Sequence, residues 1–146
     1  MSDMKLYFFP RACSGVTMTA LDMAGVEYDR QLINIFKGEQ KTPDYLAINP
    51  SGAVPTLLVD GKPIYENASI LIYLDMLAPD AGILPASDDP AVKARYRSAL
   101  VRCSATLHPM MRQIRKPMRF TSDAQIDGIS AAGTAKLSAG LAPMEA

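Results

Sequence analysis

The stretch from Ala47 to Tyr65 reads AINPSGAVPTLLVDGKPIY, and it decides the fold of this chain. It holds two apolar runs, at residues 54–59 and 62–65, joined by Asp60-Gly61. An Asp-Gly pair between such runs indicates a β-hairpin, because both residues tolerate the positive φ angles of a tight hairpin turn. Asn49-Pro50-Ser51-Gly52 predicts a further turn just before it. We therefore expect a turn followed by two antiparallel strands.

The residues before this stretch predict a β-α-β unit. A strand is expected at Lys5–Phe9, then a helix at Cys13–Ala24 with Gly25 as its C-terminal cap. A second strand is expected at Tyr28–Ile35, parallel to the first because a helix connects the two. A short helix is expected at Thr42–Ile48. Spacings of three and four residues predict the buried face of the first helix, which consists of Val16, Thr19, Ala20 and Met23.

A helix is expected to follow the hairpin, with Asn67 as its N-cap and Leu77 near its end. Its inward-facing residues are predicted to be Ile70, Leu71, Leu74 and Leu77. The predicted order is then β-α-β-α-β-β-α, which is the arrangement of a thioredoxin-like α/β domain with four strands between helices. We assign this domain to residues 1–80.

The rest of the chain predicts a second, all-helical domain at residues 89–146, after a Pro-, Ala- and Asp-rich linker at 78–88. Asp89 and Pro90 are typical of a helix start. Pro109 should kink this helix and Pro117 should end it. A weaker amphipathic segment is expected from Asp123 to the C-terminus. The apolar stripe of the long helix comprises Val92, Tyr96, Leu100, Cys103, Leu107, Met110 and Ile114.

Composition narrows the class of protein. The formal net charge is zero, but residues 1–88 carry −5 and residues 89–146 carry +5, which indicates two units of different character. No segment has the length of a signal peptide or a membrane span. Cys13 and Cys103 make no disulfide framework, and the lone His108 leaves no zinc-ligand spacing. We expect a cytoplasmic protein without a metal.

Val54-Pro55 is the first candidate for a binding site. Proline donates no ladder hydrogen bond, so its place before a hairpin strand is unusual. A cis Val54–Pro55 peptide would leave the backbone N–H and C=O of Val54 free to pair with an extended peptide ligand. The alternative is an ordinary surface turn with a trans proline.

Two helix N-termini supply further candidates. Glu66 and Asn67 precede a helix whose free N–H groups favour a bound carboxylate, and Glu66 itself could hold a ligand ammonium. The alternative is simple capping. Cys13 and Ser14 open the first predicted helix, where the positive end of the helix dipole favours a thiolate. The alternative is a small buried core residue, and Val16 stands where a second redox cysteine would be needed.

The three segments together resemble the glutathione S-transferase superfamily, and Pro10-Arg11-Ala12-Cys13-Ser14 is most similar to its bacterial beta class. The resemblance runs from Lys5 to about Ile114. It implies further helices beyond Ala146, so that the helical domain is incomplete in this sequence. It also implies a transferase that conjugates the glutathione thiolate to an electrophilic, mostly apolar co-substrate.

Carried over, the resemblance assigns a role to each matching residue. It implies that Cys13 and Ser14 are catalytic. Glutathione as co-substrate would contact a set consisting of Lys37, Val54, Pro55, Glu66, Asn67 and His108. The alternative for His108 is an incidental helix residue. The family's tyrosine on the first strand is replaced here by Phe8, and Tyr7 should point to the other face.

The resemblance leaves partner and activity partly open. It implies a homodimer. The long helix carries many basic residues, but no aromatic residues alternate with them, so we expect no nucleic-acid partner. Two alternatives to conjugation stand. One is glutathione-dependent thiol–disulfide exchange or isomerisation, and the other is glutathione binding without turnover.

Overall fold

A computed structural model describes residues 3–122 and 125–141 of the chain. The chain divides into two compact units, Met1–Lys93 and Ala94–Ala146. The predicted domain bounds of 1–80 and 89–146 stay predictions. The predicted amphipathic segment from Asp123 to the C-terminus lies partly outside the described residues.

The first unit has the predicted order of elements. These are β1 (Met4–Phe8), α1 (Ser14–Met23), β2 (Asp29–Leu32), a 3₁₀ turn (Glu39–Lys41), α2 (Pro43–Ile48), β3 (Thr56–Val59), β4 (Lys62–Tyr65), α3 (Asn67–Leu77) and a 3₁₀ turn (Pro79–Ala81). Gly25 has a φ of 63° and follows α1 as the expected cap. The thioredoxin-like α/β arrangement is therefore confirmed.

The four strands form one mixed sheet in the order β2-β1-β3-β4. β1 runs parallel to β2 and antiparallel to β3, and β3 pairs with β4 as the expected hairpin. Leu6 of β1 lies beside Arg30 of β2 and Leu57 of β3. β1 is thus a central strand, and its carboxyl end leads directly into the turn before α1.

Packing of the first unit uses both faces of β1. Side chains alternate along a strand, so Leu6 and Tyr7 face opposite sides. Tyr7 packs with Ile33 and Tyr45 in a small cluster, and the rings of Tyr7 and Tyr45 meet edge-on with centroids 5.6 Å apart. The largest fully buried apolar side chains of the unit are Leu6, Leu21, Leu57, Ile70 and Leu74.

The prediction of which residues form the buried face of the first helix was wrong at three of its four positions. Val16 and Met23 are 52% and 49% exposed, and Thr19 is exposed as well. Of the predicted face only Ala20 is buried; the buried residues of α1 are Ser14, Thr17, Ala20 and Leu21. Thr17 can be buried because its hydroxyl donates to the Asn67 side chain of α3, 2.6 Å away.

Two further expectations need correction. The second strand covers only Asp29–Leu32, and all four of its residues are exposed, as suits a short edge strand. Leu77, predicted to face inward, is 42% exposed at the end of α3, whereas Ile70, Leu71 and Leu74 are buried.

In the second part of the chain, one predicted long helix is divided. α4 (Pro90–Arg102) continues into a π-helical turn (Cys103–Leu107) and then α5 (His108–Arg115). Pro109 has no N–H to donate within an α-helix, and the N–H of His108 donates to Cys103 five residues back. The wider turn breaks the regular stripe, and Cys103 is exposed rather than packed. The expected end before Pro117 is confirmed.

A further helix, α6 (Ile126–Leu141), packs against α5 after a 3₁₀ turn (Pro117–Arg119). Gly133 allows the close approach, because a Cβ there would lie 3.0 Å from Cβ of Gln113 and 3.2 Å from the carbonyl oxygen of Met110. Arg102 donates to the carbonyl of Gly140 at 2.6 Å. Among the described residues, no helix is both long and apolar enough to cross a membrane.

Gly133→Ala is expected to lower the free energy of opening this helix pair by about 1–3 kcal/mol, since an overpacked contact forces neighbouring atoms to shift. Gly128→Ala is the matched control in the same helix, where nothing lies within 4 Å of an added Cβ. The control should gain about 0.5–1 kcal/mol from reduced backbone entropy. Amide hydrogen exchange of α6 measures both. Equal protection in the two variants would contradict the assigned contact.

Candidate functional site

The turn between β1 and α1 places Cys13 at a helix N-terminus. Phe9 accepts a backbone hydrogen bond from Ala12, and Cys13 occupies the N-cap position of α1. The buried hydroxyl of Ser14 accepts from the backbone N–H of Phe9 at 3.4 Å. Ser14 therefore ties the helix start to the end of the strand. Its predicted catalytic role stays a prediction.

The thiol of Cys13 lies beside Val54. Cys13 Sγ is 3.7 Å from the carbonyl oxygen of Val54, within range of a weak S–H···O hydrogen bond. Both residues are partly exposed, whereas Pro55 is buried, and the Val54–Pro55 peptide is cis rather than the trans alternative. Three of the predicted site residues are thus brought together within the first unit.

Asn49 holds the segment that presents Val54. Its side-chain amide donates to Ala53 O and Thr56 Oγ1, both at 2.9 Å, and its Oδ1 accepts from the N–H and hydroxyl of Ser51. Tyr45 adds a second donor to Ala53 O at 2.6 Å. Burial raises the pKa of the Tyr45 phenol, which keeps it a neutral hydrogen-bond donor at neutral pH.

Glu66, rather than the predicted Asn67, occupies the N-cap position of α3. Glu66 is exposed and has a φ of 65° and a ψ of 130°, and its side chain caps no helix N–H. Asn67 is the first residue of the helix, and its side chain accepts from Thr17 of α1 instead of capping. This contact joins the first turns of α1 and α3. Two helix N-termini therefore lie side by side, which favours an anionic group.

The predicted lysine lies on a braced loop. Lys37 is exposed, and its backbone N–H donates to Asn34. A second lysine was not predicted. Lys41 Nζ donates to Ser51 O at 3.4 Å, and a Cβ on Gly52 (φ 58°) would lie 2.7 Å from Lys41 Nζ and from Gln40 O. No sequence signal pointed to Lys41, because its nearness to the turn depends on how the loop folds back.

An aromatic pair stands at the end of the strand that leads to Cys13. The rings of Phe9 and Phe36 meet edge-on with centroids 5.3 Å apart, although Phe36 is 81% exposed. Asn34 Oδ1 accepts from the backbone of Phe36 and so braces this loop.

Tyr7 is buried against Tyr45, as expected for the face opposite to its neighbour Phe8. His108 begins α5 in the other unit, and its assignment to the site stays a prediction.

The site residues offer a matched set of groups for a peptide-like ligand with an amino-acid end. Val54 offers a backbone beside a thiol, and Glu66 offers a carboxylate next to two helix N-termini. An amino-acid end carries an ammonium and a carboxylate. The Glu66 carboxylate suits the ammonium, and the helix N-termini suit the carboxylate. Within residues 3–122 and 125–141, no cluster of three His, Cys, Asp or Glu is placed to hold a metal ion.

Comparison with known proteins places this geometry in context. Residues 12–77 match the family model described as glutathione S-transferase, N-terminal domain. A zeta class glutathione S-transferase of Euphorbia esula is 38% identical over 109 residues, covering 73% of this chain and 47% of the relative. A maleylacetoacetate isomerase of Pseudomonas aeruginosa is 35% identical over 111 residues, covering 73% and 51%. The chain spans about half the length of these curated relatives.

Among solved structures, a glutathione transferase homologue from Sulfitobacter with bound glutathione superposes with a TM-score of 0.81. The two are 31% identical, and the match covers 95% of this chain and 67% of the other. Because a zeta class protein stands among the relatives, the expected beta-class assignment stays a prediction.

Proposed function

We propose that this chain, which belongs to the glutathione S-transferase family, binds glutathione and conjugates its thiol to an electrophile. The observation that carries the proposal is the 3.7 Å distance between Cys13 Sγ and Val54 O. It places a thiol beside the backbone edge that would pair with the cysteinyl part of glutathione. The relationship to a glutathione-bound homologue supports this assignment.

Each end of glutathione has a proposed partner. Glu66 would hold the γ-glutamyl ammonium, and the helix N-terminus at Asn67 would hold the γ-glutamyl carboxylate. Lys37 would reach the glycyl carboxylate, and Pro55 would keep Val54 in place. His108 completes the proposed set. No metal takes part in the proposed step.

In the proposed reaction, the glutathione sulfur attacks the electrophilic carbon of the co-substrate. A C–S bond forms, the bond to the leaving group breaks, and the leaving group departs with the electron pair. The thiol proton goes to solvent as the thiolate forms. The N-termini of α1 and α3 would stabilise negative charge near the sulfur. We further propose that the protein works as a cytoplasmic homodimer.

A glutathione-dependent isomerase is the second candidate, because one relative is a maleylacetoacetate isomerase. Isomerisation would use the same bound thiolate, adding to a double bond and leaving again, with no net consumption of glutathione. Thiol–disulfide exchange at Cys13 is a third candidate, and glutathione binding without turnover is a fourth. Consumption of glutathione during turnover of an aryl halide separates conjugation from isomerisation.

Titration calorimetry of the purified 146-residue protein with glutathione is the test of the proposal. Saturable one-site binding, together with conjugation of an aryl halide, supports a transferase. Binding without any conjugation supports the non-catalytic candidate. A folded sample that gives no binding heat refutes the proposal.

Glu66→Gln is expected to weaken glutathione binding about 10- to 100-fold, because a charge-assisted hydrogen bond to the ligand ammonium becomes a neutral one. The dissociation constant from calorimetry measures this loss. Glu27→Gln is the matched control, since Glu27 is an exposed acid between α1 and β2. If both variants bind glutathione equally well, Glu66 has no such role.

A further inference from the structure

Arg11 occupies a position that ordinarily belongs to glycine. The backbone N–H of Ala12 donates to Phe9 O at 3.2 Å, which closes a four-residue turn with Pro10 second and Arg11 third. Arg11 has a φ of 67°. Proline second and a positive φ third is the pattern of a type II turn, whose third residue is usually Gly or Asn.

This conformation is costly for arginine. A residue with a Cβ loses about 1–2 kcal/mol in the left-handed region. The described non-glycine residues with positive φ are Arg11, Asp60 and Glu66. Asp60 stands in the Asp-Gly hairpin turn, where such a φ is normal. The other two flank the candidate site, where backbone strain is commonly retained for function.

The turn sets Arg11 close to Cys13, beside which the glutathione sulfur is proposed to lie. Arg11 is two residues before Cys13, so their Cα atoms lie at most about 7.6 Å apart. Its side chain is exposed. The sequence has no acidic residue between Asp3 and Asp22, so β1, the turn and most of α1 supply no carboxylate to neutralise the guanidinium. A cation is thus held at the Cys13 end of a unit that is otherwise acidic.

We propose that Arg11 is a specificity residue that selects electrophilic co-substrates carrying a carboxylate. This rests on the proposed function, because it assigns the co-substrate class of the same site. Guanidinium is the side chain best matched to a planar carboxylate, which it can bind through two parallel hydrogen bonds. The Phe9–Phe36 pair begins at the same turn and offers an aromatic surface for the rest of such a molecule.

The test compares two probes that differ in one charge, 4-chloro-3-nitrobenzoate and 4-chloro-3-nitrobenzamide. Their glutathione conjugates, prepared chemically, are titrated into the full 146-residue protein. The wild type is expected to bind the carboxylate conjugate about tenfold more tightly, as one charge-assisted contact allows. This preference should fall to near one in Arg11→Gln and in Arg11→Gly, whose glycine suits the turn. Salt should weaken it, because the contact is exposed.

Lys62→Gln is the control for loss of one positive charge. The strand register places Lys62 beside Val59, which pairs with Met4 at the other end of β1. This variant should keep the preference. Equal binding of the two conjugates by the wild type, or a preference that survives in both Arg11 variants, overturns the inference. Weaker binding of glutathione itself in Arg11→Gln also overturns it, since Arg11 would then act on glutathione.

Turnover of the neutral benzamide by the wild type tests the proposed function separately. A protein that prefers the carboxylate conjugate but conjugates neither probe keeps the inference and loses the transferase assignment. A protein that conjugates both probes at equal rates and binds both conjugates equally keeps the transferase assignment and loses the inference.

Discussion

Replacing Cys13 with alanine is expected to abolish the mixed disulfide between the protein and glutathione. In that reaction the Cys13 thiolate attacks one sulfur of glutathione disulfide, the S–S bond breaks, and a glutathione thiolate leaves. The part-buried thiol beside Val54 is placed for this exchange, since Val54 would hold the glutathionyl backbone. Intact-protein mass spectrometry measures the adduct as the mass of one glutathionyl group.

The second cysteine, Cys103, has to be replaced in both of the proteins that are compared. Cys103 is exposed on the π-helical turn and can react without any binding site. The experiment therefore compares Cys103→Ala with the double variant Cys13→Ala/Cys103→Ala. The single variant should form an adduct at a rate that saturates with glutathione disulfide and is slowed by S-methylglutathione. An unsaturable rate would mean that Cys13 reacts without a bound glutathionyl group.

Asn49→Ala is expected to lower the free energy of unfolding by about 2–4 kcal/mol. Removal of a buried side chain that makes several hydrogen bonds costs about 1–3 kcal/mol for each partner group left unpaired. Asn49 makes several such hydrogen bonds, but Tyr45 still serves Ala53 O and Thr56 Oγ1. Urea unfolding at equilibrium measures the difference. Glutathione affinity should fall as well, because the segment that presents Val54 is released.

Ser51→Ala is the control for this prediction. It removes only the hydroxyl donor to Asn49 Oδ1, at an exposed residue, and should cost about 0.5–1 kcal/mol. Similar losses in the two variants would show that the remaining contacts of Asn49 add nothing. An Asn49→Ala protein of reduced stability that still binds glutathione normally would separate stability from presentation of Val54.

The order of elements was predictable because its signals are local. The Asp60-Gly61 hairpin, the Gly25 cap and the end before Pro117 each follow from the conformations that one or two residues allow. The cysteine at the start of α1 was predictable for the same reason, whereas the local residues left both a cis and a trans Val54–Pro55 peptide open. Structure that depends only on residues a few positions apart can be predicted from the sequence.

The misses have the opposite cause. The buried face of α1 runs through Thr17 because a residue fifty positions later accepts its hydrogen bond. The strained backbone of Glu66 and the nearness of Lys41 to Ser51 likewise depend on packing between distant segments. The hub formed by Asn49 was recognised only as part of a turn. Tyr45, in the short helix that ends just before Asn49, donates to the same Ala53 carbonyl, and the turn signal does not reveal that shared contact.

The central place of β1 has a consequence for how the protein is made. β1 is synthesised before its antiparallel partner β3, which follows about fifty residues later, and the sheet closes only when both exist. Cys13 and Val54 are separated by 41 residues. A ribosome adds that length in roughly 2 to 8 seconds, at about 5–20 residues per second. On each nascent chain the thiol therefore stands without its backbone partner for that interval, and the proposed glutathione site is one of the last features that the first unit acquires.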